Sequence, residues 1–535
     1  MAQPSMMLSS TITPLADADS GADAAGLAGT GRPADPSAPS RGAVVLAAVS
    51  IFAVAFAARL LPMVGGGGLL GLGNYDDGVN YAAAAAFVEG LWPYRDFLLL
   101  HPPGVIVALA PFAAVGSVFG DPTGMLVGRL AWMALGGVNA LLVARVLLPV
   151  SARAALLGAA VYAVFFPAIY ADHTVLLEPP AACCLLISLI LLRSTTHPAS
   201  TSVLRLVAAG AILGSAASIK IWGVVPVLLI AVWLFFVHSR RGALAYLGAA
   251  AGACAAICLP FFVAAPAPMW QMVVLAQTGR DRSNATIAKR LIDIAGVQLW
   301  AGTRLTWVVA VALLLTAGCV IVALISRPTR LLAMVWLVSF GLLMATPPWW
   351  LHYSGLMAAP TALIGGAASD RIIVGVQRVT GGRRWVGVSL TVAALLSLGA
   401  YTSRLPGESM SRAFPGQELG RVLADRQGCI ATDDPSTLIF MDLLRRNLER
   451  GCRVEIDLGG YNHYSYSLRP EVARTYRAKN PQFQRYMMEY FRSSDTVITV
   501  KFRRGSDFSP ESARSYYRWP ELHRIGNRIV RIPQP

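Results

Sequence analysis

The sequence predicts a mainly α-helical, polytopic membrane protein of about eleven transmembrane helices that ends in a small extracytoplasmic α/β domain. Three observations predict it. The 535 residues are 55% hydrophobic and only 14% charged, where a soluble globule carries roughly a quarter charged residues. Apolar runs of bilayer-spanning length follow one another as far as Ser403. The stretch 404–535 then turns charge-rich, and strand-like and helix-like patterns alternate along it.

Residues 1–42 are rich in Ala, Ser, Pro, Asp and Gly without apolar periodicity, and read as a disordered cytoplasmic tail. The first apolar run begins only near Ala43, too far in for a cleaved signal peptide. It continues to Val64, long enough to span a bilayer, and is taken as a first span running outward. Further spans are expected at 124–147, 154–171, 174–192, 203–219, 221–237, 243–265, 304–326, 331–346, 352–368 and 385–403. The run Val105–Phe119 is short and interrupted by Pro111, so it is expected to rest on the membrane rather than cross it. The basic loops around Arg145/Arg153, Arg193/Arg205, Arg240/Arg241, Arg327/Arg330 and Arg371–Arg384 then all fall on the cytoplasmic side, as positive-inside bias requires. Counting 105–119 as a span turns them outward.

The plan is therefore a tail (1–42), a transmembrane domain (43–403) whose first external loop is 65–122, and an extracytoplasmic domain (404–535). The cell (plasma) membrane is the expected location, with the N-terminus cytoplasmic. In the last domain CIATDD, RVEIDL and DTVITV read as strands, and 434–450 and 470–492 as helices. Much of the formal net charge of +16 sits in the short loops. The partner it implies is the bilayer with its anionic headgroups, not nucleic acid. Of seven cysteines, Cys183, Cys184, Cys254, Cys258 and Cys319 lie in apolar runs and pack as small hydrophobes. Cys429 and Cys452 lie in the polar region, where they form either a disulfide or two buried thiols. No phosphate-binding glycine loop or zinc-ligand spacing is present.

Polar chemistry concentrates in Asn74–Gly104, directly after the first span. Asp76 and Asp77 open an alanine-rich helix, where the helix dipole keeps a carboxylate ionised and able to accept a proton. A plain N-cap accounts for the pair equally well. A second acidic element is Asp172 with Glu178, either of which could face the first pair; a carboxylate beside a span must be paired or hydrated. Lys220 interrupts an apolar segment at an outer turn, either snorkelling to the interface or meeting a lipid phosphate. Arg280, Arg282, Lys289 and Arg290 form an external basic cluster against the general charge rule. It is either a phosphate site or a surface helix balanced by Asp281 and Asp293. His352 follows an interfacial Pro-Pro-Trp-Trp, and His101 precedes the Pro-Pro that turns the chain. Asp433, Asp434 and Asp457 are assigned to turn chemistry.

The pattern Asp-Asp-Gly-x-x-Tyr, then Glu-Gly-Leu-x-Pro-Tyr-Arg-Asp, then His-Pro-Pro-Gly, just after a first span, resembles the GT-C superfamily of polytopic glycosyltransferases. It is most similar to the branch holding protein O-mannosyltransferases and the lipid A aminoarabinose transferase. The resemblance covers 43–401 and leaves the C-terminal domain unmatched. It implies that 43–403 is a catalytic domain, with Asp76 at the catalytic acidic position and Asp77 beside it, where the family more often has Glu. The second-loop acid is then Asp172 or Glu178. The implied reaction is inverting transfer of a hexosyl or pentosyl group from a polyprenyl-phosphate donor to a hydroxyl of a glycan, lipid or protein acceptor, on the outer face of the membrane. Arg280 or Arg282, with Lys220, His352 and His101, would hold the donor phosphate. No cofactor is required, and a divalent metal has a role only if the donor is a pyrophosphate. The alternative is a transporter or flippase of lipid-linked sugars, since intramembrane charges also mark transport paths; such folds carry repeated halves, and the sequence shows no repeat.

Overall fold

The computed structural model describes residues 40–193, 202–278, 280, 285–302, 304, 306–405, 410–469, 476–500 and 507–534. Most of the expected tail, and Arg282, lie outside the described residues. Ala47–Pro535 forms one compact unit, and Met1–Leu46 is a separate one.

The apolar runs become helices: α1 (Arg41–Val64), α2 (Tyr75–Val88), α3 (Gly104–Phe119), α4 (Asp121–Leu147), α5 (Ala152–Val164), α6 (Phe166–Asp172), α7 (Glu178–Arg193), α8 (Val203–Ile219), α9 (Val224–Val237) and α10 (Arg240–Ala264). Four more long helices follow at Trp307–Ile325, Arg330–Ala345, Ala358–Val379 and Arg384–Thr402. Among the described residues six helices are long and apolar enough to cross a membrane, and seven if α5 and α6, bent by 57°, count as one span. Glu178–Leu192, Val203–Ile219, Ile221–Val237 and Gly104–Phe119 are shorter apolar helices. Every segment expected to span is thus helical, although five of them, at 154–171, 174–192, 203–219, 221–237 and 352–368, are not single helices long and apolar enough to cross. The short helix α3 buries Val105, Ile106, Leu109 and Ala113 against α2, α4 and α8.

The bend between α5 and α6 shows how the bundle manages polar groups. Pro167 has no N–H to give the Ala163 carbonyl one turn earlier. Arg59 of α1 supplies the missing donor, Nη1 to Ala163 O at 2.9 Å. The same guanidinium grips Asp172 Oδ2 through Nε and Nη2 at 2.9 and 2.7 Å, with both side chains buried. Gly136 of α4 makes room, because a Cβ there would collide with Arg59 and Asp172. A single charge in this position is expensive, and pairing removes most of the cost. Along α8, Gly210 and Gly214 meet the backbone of α10 at Tyr246 and Ala250, the small-residue contact by which helices approach closely without a hydrophobic drive between them.

The C-terminal segment carries a four-stranded sheet, β1 (Ile430–Thr432), β2 (Thr496–Val500), β3 (Glu521–Ile525) and β4 (Arg528–Arg531), in the order β1-β2-β4-β3. β1 and β2 pair in parallel, and β4 runs antiparallel to β2 and β3. Two of the three expected strands are present. RVEIDL is not a strand but irregular chain and turn, its Glu455 held by Arg453 at 2.7 Å. The β3–β4 hairpin was not expected from the sequence. The helix expected at 434–450 breaks into Pro435–Phe440 and Leu444–Glu449, with Asp442 at φ +54° between them. In place of a helix at 470–492 there is Pro481–Arg492, with 470–475 outside the described residues.

This layer packs on the stretch 65–122 that follows α1. Asp442 Oδ1 accepts the Asp121 N–H at 2.8 Å, and Arg445 reaches Glu89 and Asp121. Ser411 accepts from Gly67 N at 2.9 Å, and Leu72 bridges Arg412. Cys429 and Cys452 are joined as a disulfide across 23 residues, which removes about 3 kcal/mol of chain entropy from the unfolded state. Under denaturing, non-reducing conditions two of the seven cysteines should therefore resist alkylation until reductant is added. Alkylation of all seven without reductant would refute the bridge.

Candidate active site

Asn74 caps α2, its Oδ1 accepting the Asp76 N–H at 3.1 Å, so Tyr75, Asp76 and Asp77 occupy the first turn. Neighbouring helical positions diverge by about 100°, and the two carboxylates part company. Asp77 turns inward and accepts from Arg129 Nη2 of α4 at 2.6 Å, both side chains fully buried. The other end of Arg129 donates to the carbonyls of Leu69 and Gly71 at 2.5 and 2.9 Å. One guanidinium thus pins the first turn of α2 to the loop that enters it. Asp76 turns outward, with its side chain 40% exposed and its Oδ2 3.5 Å from His352 Nε2.

The orientation of His352 follows from its partners. Because Asn74 Oδ1 is occupied as an acceptor, its amide nitrogen is the group 3.2 Å from His352 Nδ1. Nδ1 then accepts, and a neutral His352 carries its proton on Nε2, directed at Asp76. The Tyr170 side chain adjoins Asn74 from α6.

The two second-loop acids separate. Asp172 is committed to Arg59 and Tyr162 inside the bundle. Glu178 sits at the start of α7 and pairs with Lys220 Nζ at 2.5 Å, both buried. Lys220 neither snorkels nor reaches solvent, because its ammonium lies 4.4 Å from the centres of the Trp222 and Tyr353 rings. Arg280 Nη1 donates to the Tyr353 hydroxyl at 3.4 Å, and its buried Nε has no hydrogen-bond partner among the described residues. His101, half-buried beside these groups, is held well below its ordinary titration range. Burial is the main cause, followed by the positive fields of Arg280, Lys220 and His352. Of the remaining basic cluster, Lys289 is bound to Asp293 at 2.5 Å. Arg290 caps the carbonyls of Leu343 and Thr346 at 3.0 and 2.6 Å and lies over Trp349.

Asp76, Glu178, Lys220, Arg280, His101 and His352 therefore share one neighbourhood, while Asp77 and Asp172 serve buried ion pairs. Sequence reasoning missed Asn74, Arg59, Arg129, Tyr170 and Tyr353. The signal for two of these was legible, since Arg59 and Arg129 are lone charges inside apolar runs. Among the described residues no cluster of three or more His, Cys, Asp or Glu could hold a metal, and Asp76 and Asp77 do not converge on a common point. Beside Gly73, Tyr170 and Leu351 opens a cavity of about 1280 Å³ that Arg404, Arg412 and Arg528 also line.

No family profile and no curated protein matches the sequence. Solved structures do match. ArnT from Cupriavidus metallidurans bound to undecaprenyl phosphate aligns over 93% of this chain and all of its own, at 15% identity and a TM-score of 0.58. The Archaeoglobus fulgidus oligosaccharyltransferase tethered to an acceptor peptide aligns over 86% of this chain and 69% of its own, at 12% identity and a TM-score of 0.55. The chain has the GT-C glycosyltransferase fold. The resemblance read from Asn74–Gly104 is thus matched at the level of architecture. The GT-C likeness also extends past the 43–401 stretch that the motif covered, into the C-terminal layer.

The Asp77–Arg129 pair makes a stability prediction. Asp77→Leu or Arg129→Leu alone leaves a buried charge uncompensated and costs about 3–5 kcal/mol, read as a lowered melting temperature of the purified protein in detergent. The double variant should melt closer to wild type than either single one. Additive losses would contradict the pairing.

Proposed function

We propose that this protein is an inverting glycosyltransferase that moves a sugar from a polyprenyl-phosphate donor to an acceptor hydroxyl. The observation that carries the reading is Asp76. It is the one carboxylate of the first-loop pair that is open to a substrate, it is braced by His352, and it shares the surroundings of His352 and Tyr353 with Arg280, whose buried Nε has no hydrogen-bond partner among the described residues. In the proposed orientation the N-terminus is cytoplasmic in the plasma membrane. The loops carrying Asp76, Arg280 and His352, and residues 404–535, lie outside, where nucleotide sugars are not supplied. A lipid-linked donor suits that face, because its tail can stay in the bilayer. Two neighbours by fold support the donor class: one structure contains undecaprenyl phosphate, and an archaeal oligosaccharyltransferase structure contains a dolichol-phosphate.

The acceptor hydroxyl gives its proton to Asp76 as its oxygen attacks the anomeric carbon, and the bond from that carbon to the phosphate oxygen breaks on the opposite side. The leaving phosphate gains negative charge, which Arg280 meets through preorganised N–H groups, with Lys220 and His101 adjoining. His352 donates to Asp76 from Nε2, fixing which lone pair faces the acceptor. The polar cavity beside Gly73 and Tyr170 is the acceptor's approach. The sugar, and whether the acceptor is a glycan, a lipid or a protein, are open on this reading.

Asp76→Asn should lower transfer from a labelled polyprenyl-phosphate sugar by at least about a hundredfold while abundance and membrane insertion stay at wild-type levels. Release of free polyprenyl phosphate in the same assay separates a transferase from a flippase, which would move the intact lipid. Wild-type transfer by the Asp76→Asn protein would overturn the assignment.

A further inference from the structure

The turn 457–460 of the C-terminal layer touches the three segments that carry the site. Its Gly459 N–H donates to the Tyr75 hydroxyl at 3.2 Å, and that hydroxyl lies 3.4 Å from Asp457 Oδ1. Tyr75 immediately precedes Asp76 in the first turn of α2. Gly460 lies against the Leu100 side chain, next to His101. The helix that follows, Tyr461–Ser467, packs on Gln271–Leu275 and Ala276–Thr278, the segment leading to Arg280. The layer thus forms a roof directly over the proposed reaction centre.

Asp457 hangs from that roof. Its Oδ1 accepts from Gly460 N at 2.8 Å and from Tyr75. Its Oδ2 accepts no hydrogen bond among the described residues, and the residue is only half-buried. Burial and the nearby Asp76 raise its titration range, while Arg280 and Arg477 oppose the rise. A carboxylate so placed repels phosphate and has nothing to offer a lipid tail. What it binds is a group rich in hydrogen-bond donors, and a carboxylate bonds such groups more strongly than a neutral acceptor does. Resting on the proposed transferase reading, we infer that Asp457 holds hydroxyls of the transferred sugar. The donor's sugar ring lies between the phosphate at Arg280 and the base at Asp76, where Oδ2 can accept from it. Selection of the sugar is then shared between the membrane helices and residues 457–460.

The experiment measures binding of farnesyl phosphate, and of farnesyl phosphate bearing one hexose or one pentose, to the full chain in lipid nanodiscs. In wild type at least one sugar-bearing lipid should bind more tightly than bare farnesyl phosphate. Asp457→Asn should weaken that lipid by about tenfold, the scale of one charge-assisted hydrogen bond, and leave bare farnesyl phosphate unchanged. Tyr75→Phe, which loosens Asp457 without removing it, should give a smaller loss of the same kind and serves where Asp457→Asn does not fold. Equal loss for bare and sugar-bearing lipids, or no loss for either, overturns the role of Asp457 alone. Failure of wild type to bind any of the three lipids overturns the donor-site reading along with it.

Discussion

Asp77 and Arg129 meet where no water reaches either of them, and the geometry of the candidate site depends on that contact. In a medium of low dielectric an unpaired charge costs several kcal/mol, so the two side chains are held together or the region does not form. Arg129 also collects the Leu69 and Gly71 carbonyls, so the loop after α1 cannot enter α2 from another direction. With Asp77 locked inward, the helical repeat leaves Asp76 no choice but to face out. The doubled aspartate is thus divided between a buried anchor and a carboxylate open to solvent. Two carboxylates aimed at one substrate would instead repel each other.

The other buried pairs extend the same logic. Arg59 and Asp172 lock α1 to the α5–α6 bend, at the carbonyl that Pro167 leaves without a donor. Glu178 and Lys220 tie the start of α7 to the turn between α8 and α9. Each pair joins segments far apart in sequence close to helix ends, where the bundle meets its connecting loops. The helices are held by small-residue packing, and the ion pairs set their register at the rim, where the site is built.

Helical architecture was legible because apolar length and basic loops are properties of single segments. Asp76 stood out as a candidate because its motif is local, running from Asn74 to Gly104. The choice between Asp172 and Glu178 was not legible, since both are acids in one short loop and only their partners differ. Those partners, Arg59 and Lys220, lie 113 and 42 residues away in sequence. RVEIDL alternates as a strand should, yet it joins no sheet among the described residues. The β3–β4 hairpin was missed because its strands are short and charged, with Arg528 and Arg531 buried in β4. Asp457 looked like a turn residue, and it is one. The role proposed for it beyond the turn rests on a contact with Tyr75, which lies 382 residues earlier.

On the proposed reading, the charge inventory of the pocket also bears on the direction of reaction. Lys220 and Glu178 cancel as a pair, and His101 is neutral at ordinary pH because its titration range is depressed. Among the described residues Arg280 is then the cation proposed to face the phosphate without an acid bound to it. A phosphodiester donor carries one negative charge, which Arg280 matches. The leaving phosphate monoester carries nearly two at neutral pH, and the second has no fixed partner. It can be met by Lys220 loosening from Glu178, or by a proton taken onto His101. Either response links departure of the lipid phosphate to a change in a neighbouring residue. On that reading the site matches the charge of the donor, while the spent lipid phosphate carries one negative charge more than the fixed cation meets.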